Sequence, residues 1–182
     1  MPIIDHFLDS AERRQSSHFD ERPNTHDISL VVIHCISLPE GEFGKGYIDD
    51  LFMGCIDCRA HPSFLSLEGV RVSAHLVIDR EGTTKQYVPF NKRAWHAGVS
   101  MFNGREQCND FSIGIELEGT DRDSFTDQQY RKLSRIITEL QIAYPNIKQN
   151  IVGHSDIAPG RKTDPGIGFD WDKLHAELKR IG

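Results

Sequence analysis

The chain has 182 residues, 38% hydrophobic and 26% charged, the make-up of an ordinary globular protein long enough for one domain with a real core. Its formal net charge is −6 and its 21 Lys and Arg are scattered, so the basic stripe of a nucleic-acid-binding protein is missing. No apolar run approaches a membrane span, and the opening stretch MPIIDHFLDSAERRQSSHFDERPN lacks the basic and apolar regions of an export signal; a cytoplasmic protein with neither nucleic-acid nor membrane partners is expected.

The first strong element is ISLVVIH, residues 28–34, a continuous apolar run rich in β-branched residues that predicts a buried central strand. It ends in CISLPEGEFGKG, where Pro39 and the glycines mark a loop. Short helices are expected at YIDDLFMG and PSFLSLEG. Between them, Cys55 and Cys58 have C-x-x-C spacing, but a zinc ribbon needs a second such pair and a redox dithiol a βαβ context. They read as two ordinary thiols, and the four cysteines in all suit a reducing compartment.

RVSAHLVIDREGTTKQYVPF reads as a hairpin turning at DREG, with Val72, Ala74, Leu76 and Ile78 alternating. FSIGIELE, residues 111–118, alternates cleanly, placing Phe111, Ile113, Ile115 and Leu117 on one face and Ser112, Gly114, Glu116 and Glu118 on the other. In SFTDQQYRKLSRIITELQIAYP, Thr126 and Gln129 form a capping box, and Tyr130, Leu133, Ile137, Leu140 and Tyr144 make an apolar helical stripe that Pro145 ends. NIVGH is a further short strand, and DWDKLHAELKRIG a closing helix with Trp171, Leu174 and Leu178 on one side. The order of elements predicts a single α/β domain, a mixed sheet flanked by helices.

Two histidines share one context: His34 ends LVVIH and His154 ends NIVGH, so both imidazoles are expected at strand ends facing one cleft. In the loop after His154 comes Asp164, stiffened by Pro159 and Pro165. Two His and one Asp are a three-ligand zinc set that leaves a fourth position open, as catalytic sites do. A lone strand-end histidine is more often hydrogen-bonded structure, and His6, His18, His26, His61 and His175, with no matching partner spacing, read as surface or packing residues. Companions raise His34, His154 and Asp164 above it. Glu116 stands on the sparse face of its strand beside Gly114, where a substrate could approach the backbone, and can carry a proton. Lys162, in the same loop as Asp164, can stabilise an oxyanion. These residues describe a zinc hydrolase of unspecified substrate.

Together, VVIHCISLPEGEFG, RVSAHLVIDREG, KRAWHAGVS, CNDFSIGIELEGT, YPNIKQNIVGHSDIAPGRKTDPG and FDW resemble the type 2 N-acetylmuramoyl-L-alanine amidases, and among these the cytosolic enzymes of Gram-negative bacteria that act on 1,6-anhydro-muropeptides. The match keeps motif order over nearly the whole chain. It implies one zinc amidase domain over residues 1–182, with the fold shared by peptidoglycan recognition proteins. It further implies Zn2+ on His34, His154 and Asp164, Glu116 as catalytic carboxylate and Lys162 at the oxyanion. The implied reaction cleaves the amide between the lactyl group of anhydro-N-acetylmuramic acid and L-alanine, in cell-wall recycling and in control of muropeptide-signalled β-lactamase induction. For the anhydro-muropeptide substrate, Arg71 is the candidate partner of a stem-peptide carboxylate, Trp95 a flat surface for a sugar ring, and His96 a lining residue. Cys35 and Gln107 depart from the pattern of those enzymes, which carry Asn and a basic residue there; alternation puts Cys35 on the face opposite His34. A monomer is expected. The alternatives are an exported amidase of polymeric peptidoglycan and a non-catalytic, zinc-bearing peptidoglycan-binding module.

Overall fold

The computed structural model describes residues 2–181. Its centre is a six-stranded sheet built, in chain order, from β1 (Glu12–Arg13), β2 (Leu30–Ile36), β3 (Leu76–Ile78), β4 (Thr84–Gln86), β5 (Ser112–Glu118) and β6 (Ile151–Gly153). Across the sheet the order is β6-β2-β5-β3-β4-β1. All neighbours run parallel except β3 and β4, which form the hairpin expected around DREG. The sheet is therefore mixed, and its long central strands β2 and β5 are covered on both faces, which is why β2 opens as an unbroken apolar run.

One face carries the helices. α2 (Asp127–Ala143) opens with the capping box, Thr126 accepting from the Gln129 N–H and Gln129 Oε1 from the Thr126 N–H. Its buried stripe of Tyr130, Leu133, Ile136, Ile137 and Leu140 packs on Val31 and Ile33 of β2 and Ile113, Ile115 and Leu117 of β5. α4 (Trp171–Ile181) lies beside it, adding Leu174 with Trp171 and Leu178 half-buried. The Gln129 amide also donates to the Ile78 and Glu118 carbonyls, tying the start of α2 to two strand ends.

The other face is split between two apolar clusters. One gathers Leu30 and Val32 of β2 with Ala97, Cys108, Phe111 and Ile157. The second gathers α1 (Tyr47–Met53) through Ile48, Leu51 and Phe52 with Ala74, Val77 and Tyr87, and Ile36 of β2 packs on it. His34, on the same strand face by the two-residue period, falls in the gap between them. The predicted face of Val72, Ala74, Leu76 and Ile78 does not hold: Leu76 and Ile78 join the helix-side core, whereas Ala74 joins Val77 on the other side. The strand starts only at Leu76, so alternation has no meaning before it.

PSFLSL forms a 3-10 helix, and Cys55 and Cys58 are free thiols in the connection before it. Among the described residues no helix is long and apolar enough to cross a membrane.

Candidate active site

β2 and β5 pair in parallel register with Glu116 opposite His34, on the face away from α2. His34 is not the last residue of its strand, as the sequence suggested; β2 continues to Ile36. Nor does His154 end β6, since it opens α3 (His154–Ile157), a single helical turn. The ladder outlasts the apolar run because strand pairing needs only backbone groups. Asp156 caps that turn by accepting the Gly153 N–H at 2.7 Å, and the Ser155 N–H donates to the Asp164 carbonyl at 2.9 Å, drawing the following loop back over the turn.

The outcome is a triangle. His34 Nδ1 lies 3.0 Å from His154 Nδ1 and 2.9 Å from Asp164 Oδ2, and His154 Nδ1 lies 3.1 Å from the same oxygen. These three atoms form the one cluster of potential metal ligands among the described residues. The donor chemistry fits zinc: two imidazole nitrogens and a carboxylate oxygen, with no fourth protein ligand closing the set. The hydrogen positions fit as well. His154 Nε2 faces the Ala97 carbonyl at 3.0 Å, which can only accept, so the ring hydrogen sits on Nε2 and Nδ1 offers its lone pair.

Electrostatics follow from burial. Desolvation lowers the pKa of His34 to about 4, against the Asp164 hydrogen bond that raises it. Burial pushes the Asp164 carboxyl up, but the two imidazoles against its Oδ2, His154 and His34, prevail and hold it well below the usual carboxylate range. Glu116 is 9% exposed and its Oε2 has no hydrogen-bond partner among the described residues. Burial, reinforced by the charge of Asp164 and opposed by Lys162, raises its pKa well above the ordinary value. A buried carboxyl of raised pKa beside a possible metal site is a group suited to take and return a proton.

A cleft of about 490 Å³ opens over the triangle, with Glu116, Trp95, His96 and Lys162 in its walls. Another wall is the loop of Ser37, Leu38 and Glu40, held from behind by buried Glu118, whose carboxylate accepts the Gly44 N–H at 2.5 Å. Lys162 is exposed on the rim and enters no ion pair among the described residues. Trp95 is half-buried, stacked on His18 with ring centroids 6.0 Å apart.

Arg71 is absent from the cleft wall; its guanidinium lies 5.5 Å from the Trp95 ring centre, so it borders the cleft only through that ring. Cys35 turns to the helix-side core, as alternation required. Gln107 lines a separate depression with Val99 and Pro159.

One expectation is corrected. Gly114 does not leave room for a substrate, because the His96 ring fills that room: a Cβ on Gly114 would lie 2.5 Å from His96 Cγ. His96 itself, although in the cleft wall, has both ring nitrogens engaged inside the protein, Nδ1 2.9 Å from His34 Nε2 and Nε2 3.1 Å from Ser112 Oγ. The sequence reading also passed over Arg161 and Asn109. Arg161 donates to the Ala97 carbonyl at 2.6 Å and the Val99 carbonyl at 2.7 Å, and Asn109 holds the backbone of residues 96 and 97. Asn109 stood inside CNDFSIGIELEGT, and a lone polar residue before a strand was its only signal.

Fold and cleft together define a single α/β domain with a possible metal site beside a buried carboxyl on its central strands. The chain belongs to the N-acetylmuramoyl-L-alanine amidase family, whose model matches residues 24–167. It is 57% identical over 174 residues, 96% of this chain and 95% of the relative, to the 1,6-anhydro-N-acetylmuramyl-L-alanine amidase AmpD of Escherichia coli strain K12. Among solved structures, a selenomethionine derivative of AmpD superposes with a TM-score of 0.96 at 54% identity, covering 98% of this chain and 99% of that one. The E. coli amidase AmiD, solved with its substrate anhydro-N-acetylmuramic acid-L-Ala-D-γ-Glu-L-Lys, matches with a TM-score of 0.60 at 28% identity over 90% of this chain and 60% of its own.

Proposed function

We propose that this chain is a cytoplasmic, zinc-dependent amidase that hydrolyses the bond between the lactyl group of 1,6-anhydro-N-acetylmuramic acid and the L-alanine of a stem peptide. Residues 1–182 serve as one zinc amidase domain in peptidoglycan recycling, where cleavage removes the muropeptides that signal β-lactamase induction. The observation that carries the reading is the meeting of a His–His–Asp donor set with a buried carboxyl, Glu116, whose Oε2 is unpartnered. The AmpD relatives, named for this substrate, and the anhydro-muropeptide seated in AmiD support the choice of bond.

His34 Nδ1, His154 Nδ1 and Asp164 Oδ2 would hold the metal. When bound, zinc supplies Lewis acidity toward an amide carbonyl and lowers the pKa of water to about 7. Glu116 takes the proton of the attacking water and returns it to the departing alanine nitrogen, a transfer suited to a carboxyl whose burial favours the protonated form. The Lys162 ammonium, free of ion pairs on the rim, stabilises the oxyanion. Trp95 offers its exposed edge to the sugar, and Arg71 beside it meets a stem-peptide carboxylate.

Mass spectrometry of the products of purified, zinc-loaded protein tests this. Anhydro-muropeptide should yield free stem peptide, whereas intact sacculi should yield none. Release from sacculi alone, or from neither, would refute the assignment.

A further inference from the structure

We infer that Asn109 is a positioning residue of the metal centre, which accepts two consecutive backbone N–H groups and thereby sets His96 and Ala97 as the outer partners of both imidazole ligands. The inference rests on reading His34, His154 and Asp164 as the zinc ligands.

Asn109 Oδ1 accepts the His96 N–H at 3.1 Å and the Ala97 N–H at 2.8 Å. The two residues so held serve different ligands: His96 Nδ1 lies 2.9 Å from His34 Nε2, and the Ala97 carbonyl lies 3.0 Å from His154 Nε2. One short segment therefore fixes the hydrogen, and so the tautomer, of each imidazole. For His154 the Ala97 carbonyl at 3.0 Å, closer to Nε2 than Arg161 Nη2 at 3.4 Å, sets the hydrogen on Nε2. For His34 a cation facing Nδ1 requires the ring hydrogen on Nε2, given to His96 Nδ1; His96 then carries its own hydrogen on Nε2, toward Ser112 Oγ.

The surroundings hold this arrangement rigid. Gly114 supplies a slot with no Cβ, against which the His96 ring lies. Arg161 grips the Ala97 carbonyl from the loop of Lys162 and Asp164. Asn109 sits in the 3-10 turn Cys108–Asp110, whose carbonyls at 109 and 110 accept from buried Arg22 at 3.0 and 3.1 Å. Asn109 is not in the wall of the cleft, so it acts through the segment it holds.

Outer partners of metal-bound histidines contribute about 10- to 100-fold in metal affinity. Asn109→Leu, which keeps size and loses the acceptor, should weaken zinc binding by that factor in chelator competition. Asn109→Asp, which keeps the acceptor, should restore most of it. In metal-free protein, ring 15N chemical shifts should place the His154 hydrogen on Nε2 and lose that preference in Asn109→Leu. Unchanged zinc affinity and unchanged ring shifts in Asn109→Leu, or equal losses in both variants, would overturn the inference. If unaltered protein takes up no zinc, the zinc reading fails, while the metal-free ring shifts still decide the role of Asn109. Should Asn109→Leu not fold, Gly114→Ala displaces His96 without removing any polar group. It should weaken zinc binding similarly, and wild-type affinity there would also overturn the inference.

Discussion

Glu116 and His34 are register partners on neighbouring parallel strands, side by side on the sheet face that lacks helices α2 and α4. Their relationship is set by the seven-residue ladder between β2 and β5, with Leu30 to Ile33 and Ile113, Ile115 and Leu117 fully buried along it. Asp164 and Lys162, by contrast, arrive on a loop. Glu116 is thus fixed relative to His34 by strand pairing, and Asp164 and Lys162 are brought to that pair.

Glu116→Gln should leave zinc content at the wild-type level and reduce turnover by about 10²- to 10⁴-fold, the range a general acid–base supplies. Gln keeps the shape and cannot carry the proton. Elemental analysis alongside single-turnover cleavage of anhydro-muropeptide separates the two effects; undiminished turnover would remove Glu116 from the chemistry.

Asp164→Ala should do the reverse. It removes the sole anionic ligand and leaves two imidazole nitrogens 3.0 Å apart with nothing to offset a cation's charge. Zinc should dialyse away against a weak chelator that spares the unaltered protein, and activity should return in part at high added zinc. Full metal occupancy after dialysis would contradict the ligand role.

How far the sequence spoke for itself varies with the kind of signal. β2 was readable as a continuous apolar run, β5, α2 and α4 because each buries a periodic stripe, and the capping box of Thr126 and Gln129 marked a helix start to the residue. His34, His154 and Asp164 stood out by residue type and context, and the structure draws their ligand atoms to within about 3 Å of one another. What sequence could not carry is depth. Gly114 looked like an opening because a missing side chain says nothing of what fills the space; the answer, His96, comes from a segment with no periodic signal. Asn109 and Arg161 act through backbone groups of residues 96 to 99, and backbone partners leave no trace in residue types.

Lys162→Ala should retain zinc and lower kcat by about 10²- to 10³-fold, the usual loss of one oxyanion donor, with KM changed little. Lys162→Arg should recover part of the rate, since the charge persists with altered reach. Steady-state kinetics on anhydro-muropeptide decide this, and a rise in KM at constant kcat would move Lys162 from oxyanion stabilisation to ground-state binding.

Gly166→Ala should strike the site from behind. Gly166 follows Asp164 closely, has φ of 82°, and a Cβ there would lie 2.0 Å from the Asp121 carbonyl oxygen. Both are backbone positions, so no rotamer relieves the clash, and the loop bearing Asp164 and Lys162 must lift from the segment after β5. Thr163, which donates to Asp121 Oδ2 at 2.9 Å, would lose that bond as well. Gly160→Ala is the matched control: its φ is 75°, but a Cβ there meets nothing within 4 Å. It should cost only the left-handed strain, about 1 kcal/mol, or about 2–4 °C in Tm for a chain of this size, with zinc affinity intact. Gly166→Ala should lower Tm further and weaken zinc binding. Equal effects of the two substitutions in thermal melts and chelator competition would mean that contact with Asp121 does nothing to hold the Asp164 loop in place.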